Sequence, residues 1–215
     1  MHRRGLIAAA AIAAAVATAI PVTPAFSATS LTVGSAAATG AHHHRHRHTP
    51  RPIPAVVACA DVSLAPSPGD LGQVASATLC MVNNLRALAG VQPLRSNASL
   101  TAAATGHSQD MVAGNYVGEV SPTGSSLLGR LEVTGYLTGG AGAGEFSIGE
   151  NDSAAGSPAS ASETVAGWAS SPTALANILN PVFRDTGIGV VAAAPAVVGR
   201  APGVTYTEDF GRSSS

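Results

Sequence analysis

Apolar residues recur at helical spacing in two stretches of the chain. Val74, Ala77, Thr78, Met81, Leu85 and Leu88 form one stripe between Leu71 and Ala89, the period of an amphipathic helix. Asp70, after Pro68-Gly69, is an N-cap and Gly90 a left-handed C-cap. Leu100, Ala103, Ala104, His107 and Met111 form a second stripe over Ala98 to Ala113, capped by Asn97 and stopped by Gly114. A third helix is predicted from about Ser126 to Thr134, with Leu127, Leu128 and Leu131 inward and Gly135-Tyr136 closing it. Phe146 to Asn151 alternates like a strand. Asp152 to Ala161 is a Ser/Ala/Gly/Pro loop, and Glu163 to Ala169 is helical, placing Trp168 in the core. Asp185 to Val191 and Val204 to Phe210 read as two antiparallel strands around a small-residue loop, Ala192 to Pro202.

Nothing before Cys59 carries such a pattern. Arg3 and Arg4, the alanine-rich run Leu6 to Ile20 and the small residues near Ala28 read as a secretory signal peptide, residues 1–28. Residues 29–58 are rich in Ala, Thr, Pro and His and read as a disordered tether. Its cluster His42, His43, His44, His46 and His48 holds divalent metal weakly, because a flexible tract fixes no geometry. The same tract, with Arg45 and Arg47, is drawn to anionic surfaces at mildly acidic pH. Residues 59–213 are one domain with a core of its own.

The whole chain has a net charge of −1, and five of its eleven basic residues lie in the signal and tether. The domain is therefore mildly acidic and contains no lysine, which argues against nucleic-acid binding. Cys59 and Cys80 are the only cysteines. In an exported protein such a pair forms a disulfide, two free thiols being the alternative. The bridge closes a loop of about 20 residues, a stabilisation of about 3 kcal/mol by loop entropy.

Five motifs in order resemble those of bacterial CAP domains, the cysteine-rich secretory protein and pathogenesis-related-1 superfamily. They are Asn83-Asn84-Leu85-Arg86 with Gly90, Pro93 and Leu94; Gly106-His107-Ser108-Gln109-Asp110-Met111; Gly149-Glu150-Asn151; Ser171-Pro172 through Asn177-Ile178-Leu179-Asn180-Pro181; and Tyr206-Thr207-Glu208-Asp209-Phe210-Gly211. The resemblance spans about Cys59 to Arg212. It implies an α+β fold, an α-β-α sandwich with a central antiparallel sheet. The cysteine positions also fit the family.

The resemblance further implies a pocket of two histidines and two acids able to hold zinc. Here Glu150 keeps its place, Glu119 stands at the first histidine position and Ala174 at the second. No family-type zinc site is expected. Glu119 and Glu150 either meet, raising one carboxyl's pKa or holding a divalent cation of the calcium or magnesium kind, or Glu119 turns to solvent. His107 reads as a core histidine bonded to backbone. Glu163 faces the cavity or is a first-turn acid favoured by the helix dipole.

No catalytic residue is assigned. The chain lacks a G-x-S-x-G elbow and an H-E-x-x-H motif, and His107 is the domain's only histidine. The expected function is that of a secreted, monomeric, non-enzymatic binding module with no cofactor. Its expected partner is a lipid or other apolar ligand, or a cell-envelope or protein surface. The glycine-rich run Gly139 to Gly144 beside Phe146 is either a lip to an apolar cleft or a loose loop. The alternative is a cation-dependent or hydrolytic domain using Glu119 and Glu150.

Overall fold

A computed structural model describes residue 52 and residues 55–138, 145–199 and 202–213. Residues 1–28, read above as a signal peptide, the histidine tract and the run 139–144 lie outside the described residues.

The chain enters through Cys59, disulfide-bonded to Cys80 with the Cα atoms 5.8 Å apart. Asn84 doubles this tie: its side-chain oxygen accepts from the Val57 amide at 2.9 Å and its amide donates to the Val57 carbonyl at 2.8 Å. Helix α1 runs Leu71–Leu88 and ends at Gly90, whose φ of 73° is the left-handed cap predicted. Asp70 holds the N-cap position, as predicted, but its side chain makes no capping hydrogen bond. Its carboxylate accepts from the Ser67 amide and hydroxyl instead, closing the turn before α1. The apolar stripe also shifts. Leu88 is 74% exposed, while Val82 and Arg86 are buried.

Helix α2 spans Ala98–Gly114, and Asn97 caps it by accepting from the amides of Ser99 and Leu100. Its stop is Asn115 in the left-handed region (φ 54°), not Gly114. Helix α3 is Leu127–Val133 with Ser126 as N-cap. Helix α4, Ala161–Ser170, opens on a capping box between Ser160 and Glu163. Helix α5 is Pro172–Leu179, with Pro172 at its first turn and Ser171 as its cap.

Four strands form one sheet in the order β1 (Arg95–Ser96), β3 (Asp185–Val191), β4 (Val204–Ser213), β2 (Phe146–Ala155). The three long strands are antiparallel, and the two-residue β1 joins the edge in parallel with β3, so the sheet is mixed. Strand β2 is longer than its apolar alternation predicts. It continues through Asp152, Ser153, Ala154 and Ala155 because β4 offers pairing partners as far as Val204.

Alternation along the strands divides the residues between two faces. One face carries Ile188, Val190, Tyr206 and Phe210 and packs with Val74, Val165, Trp168 and Ile178 of α1, α4 and α5. The other carries Phe146 and Ile148 and meets Leu100, Ala103 and Leu131 of α2 and α3. The result is the expected α-β-α sandwich.

Arg86 locks the first layer. Its side chain is fully buried and donates to the carbonyls of Gln92 (2.7 Å), Ile178 (2.5 Å), Asn180 (3.1 Å) and Phe183 (3.3 Å). The segment after α5 is thereby tied to the end of α1. Phe183 then stacks on Phe210 with ring centroids 5.4 Å apart. Burial depresses the guanidinium pKa to about 10, opposed by the charge of Glu208. Glu208 is itself fully buried, and desolvation pushes its carboxyl up to about 8.

Two outcomes follow for stability. Replacing Arg86 with alanine strands several buried carbonyls, and urea denaturation should register a loss of about 3 kcal/mol or more. Glu208 has its folded pKa raised to about 8 from an ordinary 4.5. Its stabilising contribution is therefore complete below the unfolded value and disappears as pH rises through the folded one. The melting temperature should fall between pH 5 and pH 8. Glu208→Gln should flatten that slope, and a variant as steep as the parent would refute the assignment.

Candidate functional site

The face of the sheet beneath α2 is polar where β2 and β4 cross it. Glu150 pairs with Asp209 across the strands, and Asp152 with Thr207. Gly187 and Gly189 of β3 occupy the adjoining register positions. A Cβ at Gly187 would lie 2.0 Å from the Thr101 amide nitrogen, and one at Gly189 would lie 2.3 Å from that of Thr105. Only glycine permits this seam, and it sets the α2 backbone directly on the sheet. The seam delivers two consecutive α2 residues to the polar patch. Ser108 donates to the Thr207 hydroxyl at 2.9 Å, and that hydroxyl donates to Asp152 Oδ1 at 2.9 Å.

His107 reaches the carboxylates themselves. Its Nε2 lies 3.5 Å from Glu150 Oε1 and 3.6 Å from Asp152 Oδ2. The same nitrogen is 3.0 Å from the Gly118 carbonyl. Gly118 has φ 150°, a backbone state that side-chain-bearing residues rarely adopt. His107 Nδ1, Glu150 Oε1 and Asp152 Oδ2 are buried without a hydrogen-bond partner.

Arg130 of α3 closes the cluster. Its Nη2 pairs with Glu150 Oε2, and its Nη1 donates to the carbonyls of Glu119 (3.1 Å) and Ser125 (3.4 Å). The strand under the carboxylates is fixed from the far side. The Trp168 indole donates to the Asp152 carbonyl (3.2 Å), and Asn177 donates to that of Glu150 (2.9 Å). Burial raises the Glu150 carboxyl well above the ordinary range, with Asp152 and Asp209 adding to the shift and Arg130 opposing it. Asp209 is raised by the same desolvation.

The expected pocket trio does not assemble. Glu150 faces α2, but the Glu119 side chain is exposed, the second of the two alternatives for it, and only its carbonyl takes part. Ala174 is buried against the opposite face, where its carbonyl accepts from Asn151 at 3.1 Å. Neighbouring strand residues point to opposite sides, so α5 meets Asn151 rather than the Glu150 carboxylate. The residues at the family positions thus do not fit a family-type zinc set. Glu163 is the first-turn acid, accepting from the Ser160 amide and hydroxyl. His107 is buried and bonded to backbone, as expected, and is also the centre of the cluster.

Sequence reasoning passed over Asp152, Asp209 and Arg130. Two-residue spacing from Glu150 to Asp152 was the available signal, and it is lost when Asp152 is placed in a loop. Among the described residues, His107, Glu150 and Asp152 each offer a donor atom within 4.8 Å of the others, a geometry open to a metal ion.

A sequence profile of the cysteine-rich secretory protein family matches residues 79–198. No curated protein matches the chain. Among solved structures, the chain is similar to an extracellular SCP-domain protein of Bacillus anthracis at 23% identity and a TM-score of 0.52, covering 69% of this chain and 44% of that one. It is also similar to an outer surface protein of Borrelia burgdorferi at 13% identity and a TM-score of 0.51, covering 63% of this chain and 90% of that one. At these identities the likeness concerns the fold. The chain spans under half the length of the Bacillus protein.

If the glycine seam positions the site, Gly189→Ala must lift α2 from the sheet. The expected result is a loss of at least about 2 kcal/mol in denaturation, together with a shift of the His107 imidazole resonances. An unperturbed His107 signal in a folded variant would contradict this account.

Proposed function

The chain belongs to the cysteine-rich secretory protein family, and from that premise we propose that it acts outside the cell as a binding module, not an enzyme. The N-terminal sequence, read as a signal peptide, supports export, as does the fold's occurrence in proteins described as extracellular or outer-surface. The binding site of this proposal is the groove between α2 and α3, and its occupant is an apolar chain bearing an anionic end.

The groove carries the reading. It measures about 390 Å³, within the range of small-ligand sites. Ala102, Ala103 and Gly106 of α2 form one wall, and Gly129 and Val133 of α3 the other. Small side chains leave room for an acyl tail, and Val133 is 89% exposed along the rim. Arg130 lines the same groove, a guanidinium suited to a carboxylate or phosphate end, although it shares the lining with Asp110 and is paired with Glu150. A larger hollow of about 610 Å³ lies beside the disulfide, but its lining includes the carboxylates of Asp61 and Asp70.

Catalysis has little support. Among the described residues, His107 has a carbonyl and two carboxylates as polar neighbours and no hydroxyl nucleophile. The alternative pair of Glu119 and Glu150 would need a Glu119 side chain that instead faces solvent.

Gly106 is the test position, because a Cβ there meets nothing within 4 Å. Gly106→Leu fills the groove without disturbing the helix. A fluorescent fatty acid should bind the full chain and lose about tenfold or more in affinity to this variant, with the melting temperature retained. Equal binding by both proteins, or none by the parent, would remove the groove as a lipid site.

A further inference from the structure

The geometry points to a divalent transition-metal site, of the zinc or manganese kind, held by His107, Glu150 and Asp152 behind the Arg130 side chain. This is not the family's set, whose histidine positions here are Glu119 and Ala174. It does not rest on the lipid reading, since its ligands lie in the buried cluster and only Arg130 borders both places.

The three side chains are buried and convergent. Glu150 Oε1 and Asp152 Oδ2 lack a hydrogen-bond partner, while His107 Nε2 donates to the Gly118 carbonyl, so an entering ion replaces the Nε2 proton and that bond. The side chains of His107, Glu150 and Asp152 are 0%, 1% and 8% exposed. Glu150 Oε1 and Asp152 Oδ2 accept no hydrogen bond, a costly state for buried carboxylate oxygens. Both are aimed at the same nitrogen, 3.5 and 3.6 Å from His107 Nε2. In a tetrahedral zinc site with bonds of about 2.0–2.1 Å, neighbouring donors stand about 3.3–3.4 Å apart. Two of the three donor–donor distances are therefore within a few tenths of an ångström of that spacing, and all three donors lie within 4.8 Å of one another. The Gly118 carbonyl, 3.0 Å from Nε2, borders the same space.

Charge argues the same way. Glu150, Asp152 and Asp209 bring three carboxylates to this face, and Arg130 is the guanidinium that opposes them. The carboxyls outnumber the guanidinium, and a divalent cation would favour the ionised forms that burial disfavours at Glu150 and Asp209. An imidazole nitrogen with carboxylate oxygens suits borderline ions better than calcium or magnesium. The remaining lone pair of Asp152 is already oriented: Oδ1 accepts from Thr207, which accepts from Ser108. His107 Nδ1 has no such support, which keeps the affinity moderate.

The experiment must separate this site from the histidine tract. In the full chain, His42, His43, His44, His46 and His48 are changed to alanine, and zinc binding is followed by calorimetry with cobalt absorption as a second probe. One equivalent is expected per chain, with cobalt in a low-symmetry visible spectrum. Asp152→Asn, which preserves the acceptor for Thr207, should weaken zinc at least tenfold while circular dichroism stays unchanged. His107→Gln should do the same, and if it fails to fold, Asp152→Asn decides alone. Absence of a stoichiometric site in the tract-free chain, or equal affinity in Asp152→Asn, overturns the proposal.

Discussion

The contact on which the site depends is backbone against backbone: α2 lying on the glycines of β3. At Gly187 and Gly189 there is no room for even a methyl group. Close packing of this kind transmits position with little slack. It fixes the helix at a height where His107 and Ser108 reach residues of β2 and β4 that lie far from them in sequence. A helix held a side chain's width higher would leave Glu150 and Asp152 facing a void or water. The motif Gly187-Ile188-Gly189 is thus read on both faces: the glycines admit α2, and Ile188 between them enters the core beneath α1.

Two buried guanidiniums then treat charge in different ways. Arg86 sits among backbone carbonyls on the α1 side and holds the segment after α5 by directional hydrogen bonds. Each of these donors is matched, so the group acts as a cross-link between chain segments. Arg130 sits on the other side of the sheet and is matched only in part. It pairs with Glu150 and two carbonyls, while its Nε lies buried without a partner. Around it, several carboxylate oxygens are also unmatched. Polar groups satisfied throughout belong to architecture; a concentration of unsatisfied ones next to a histidine is the observation on which the metal proposal rests.

Most of the architecture was legible in the sequence. Helices α1, α2 and α3 have stripes of apolar residues at the right period, and Asn97 and Ser126 are caps by chemistry alone. The disulfide followed from two cysteines in a chain read as exported. The site was less legible, for reasons that lie in the residues. Asp152-Ser153-Ala154-Ala155 has no apolar alternation, so its strand character comes from β4 and not from itself. Arg86 sits where a periodic reading wants an apolar residue, because its partners are carbonyls from a segment some ninety residues on, such as Ile178. Glu119 aligned with a pocket position but follows a glycine turn whose carbonyl, not whose side chain, faces inward. Matching a motif assigns a position along the chain. Whether the side chain at that position points inward is decided by the local backbone.

Arg130 links the two halves of the functional argument. It lines the open groove and at the same time neutralises Glu150 in the closed cluster. A guanidinium cannot give its full charge to two anions at once. An anionic group entering the groove would draw on the charge that now offsets Glu150, leaving the carboxylates more negative. A cation among His107, Glu150 and Asp152 would do the reverse and free Arg130 for the groove. If both proposed ligands bind, occupancy of one site would alter affinity at the other by the same factor, as linkage requires. The sign is positive, because each ligand relieves the charge imbalance that the other leaves behind. Two neighbouring features of the fold, a groove of small residues and a starved acidic cluster, are in this way one electrostatic unit with a single arginine at their boundary.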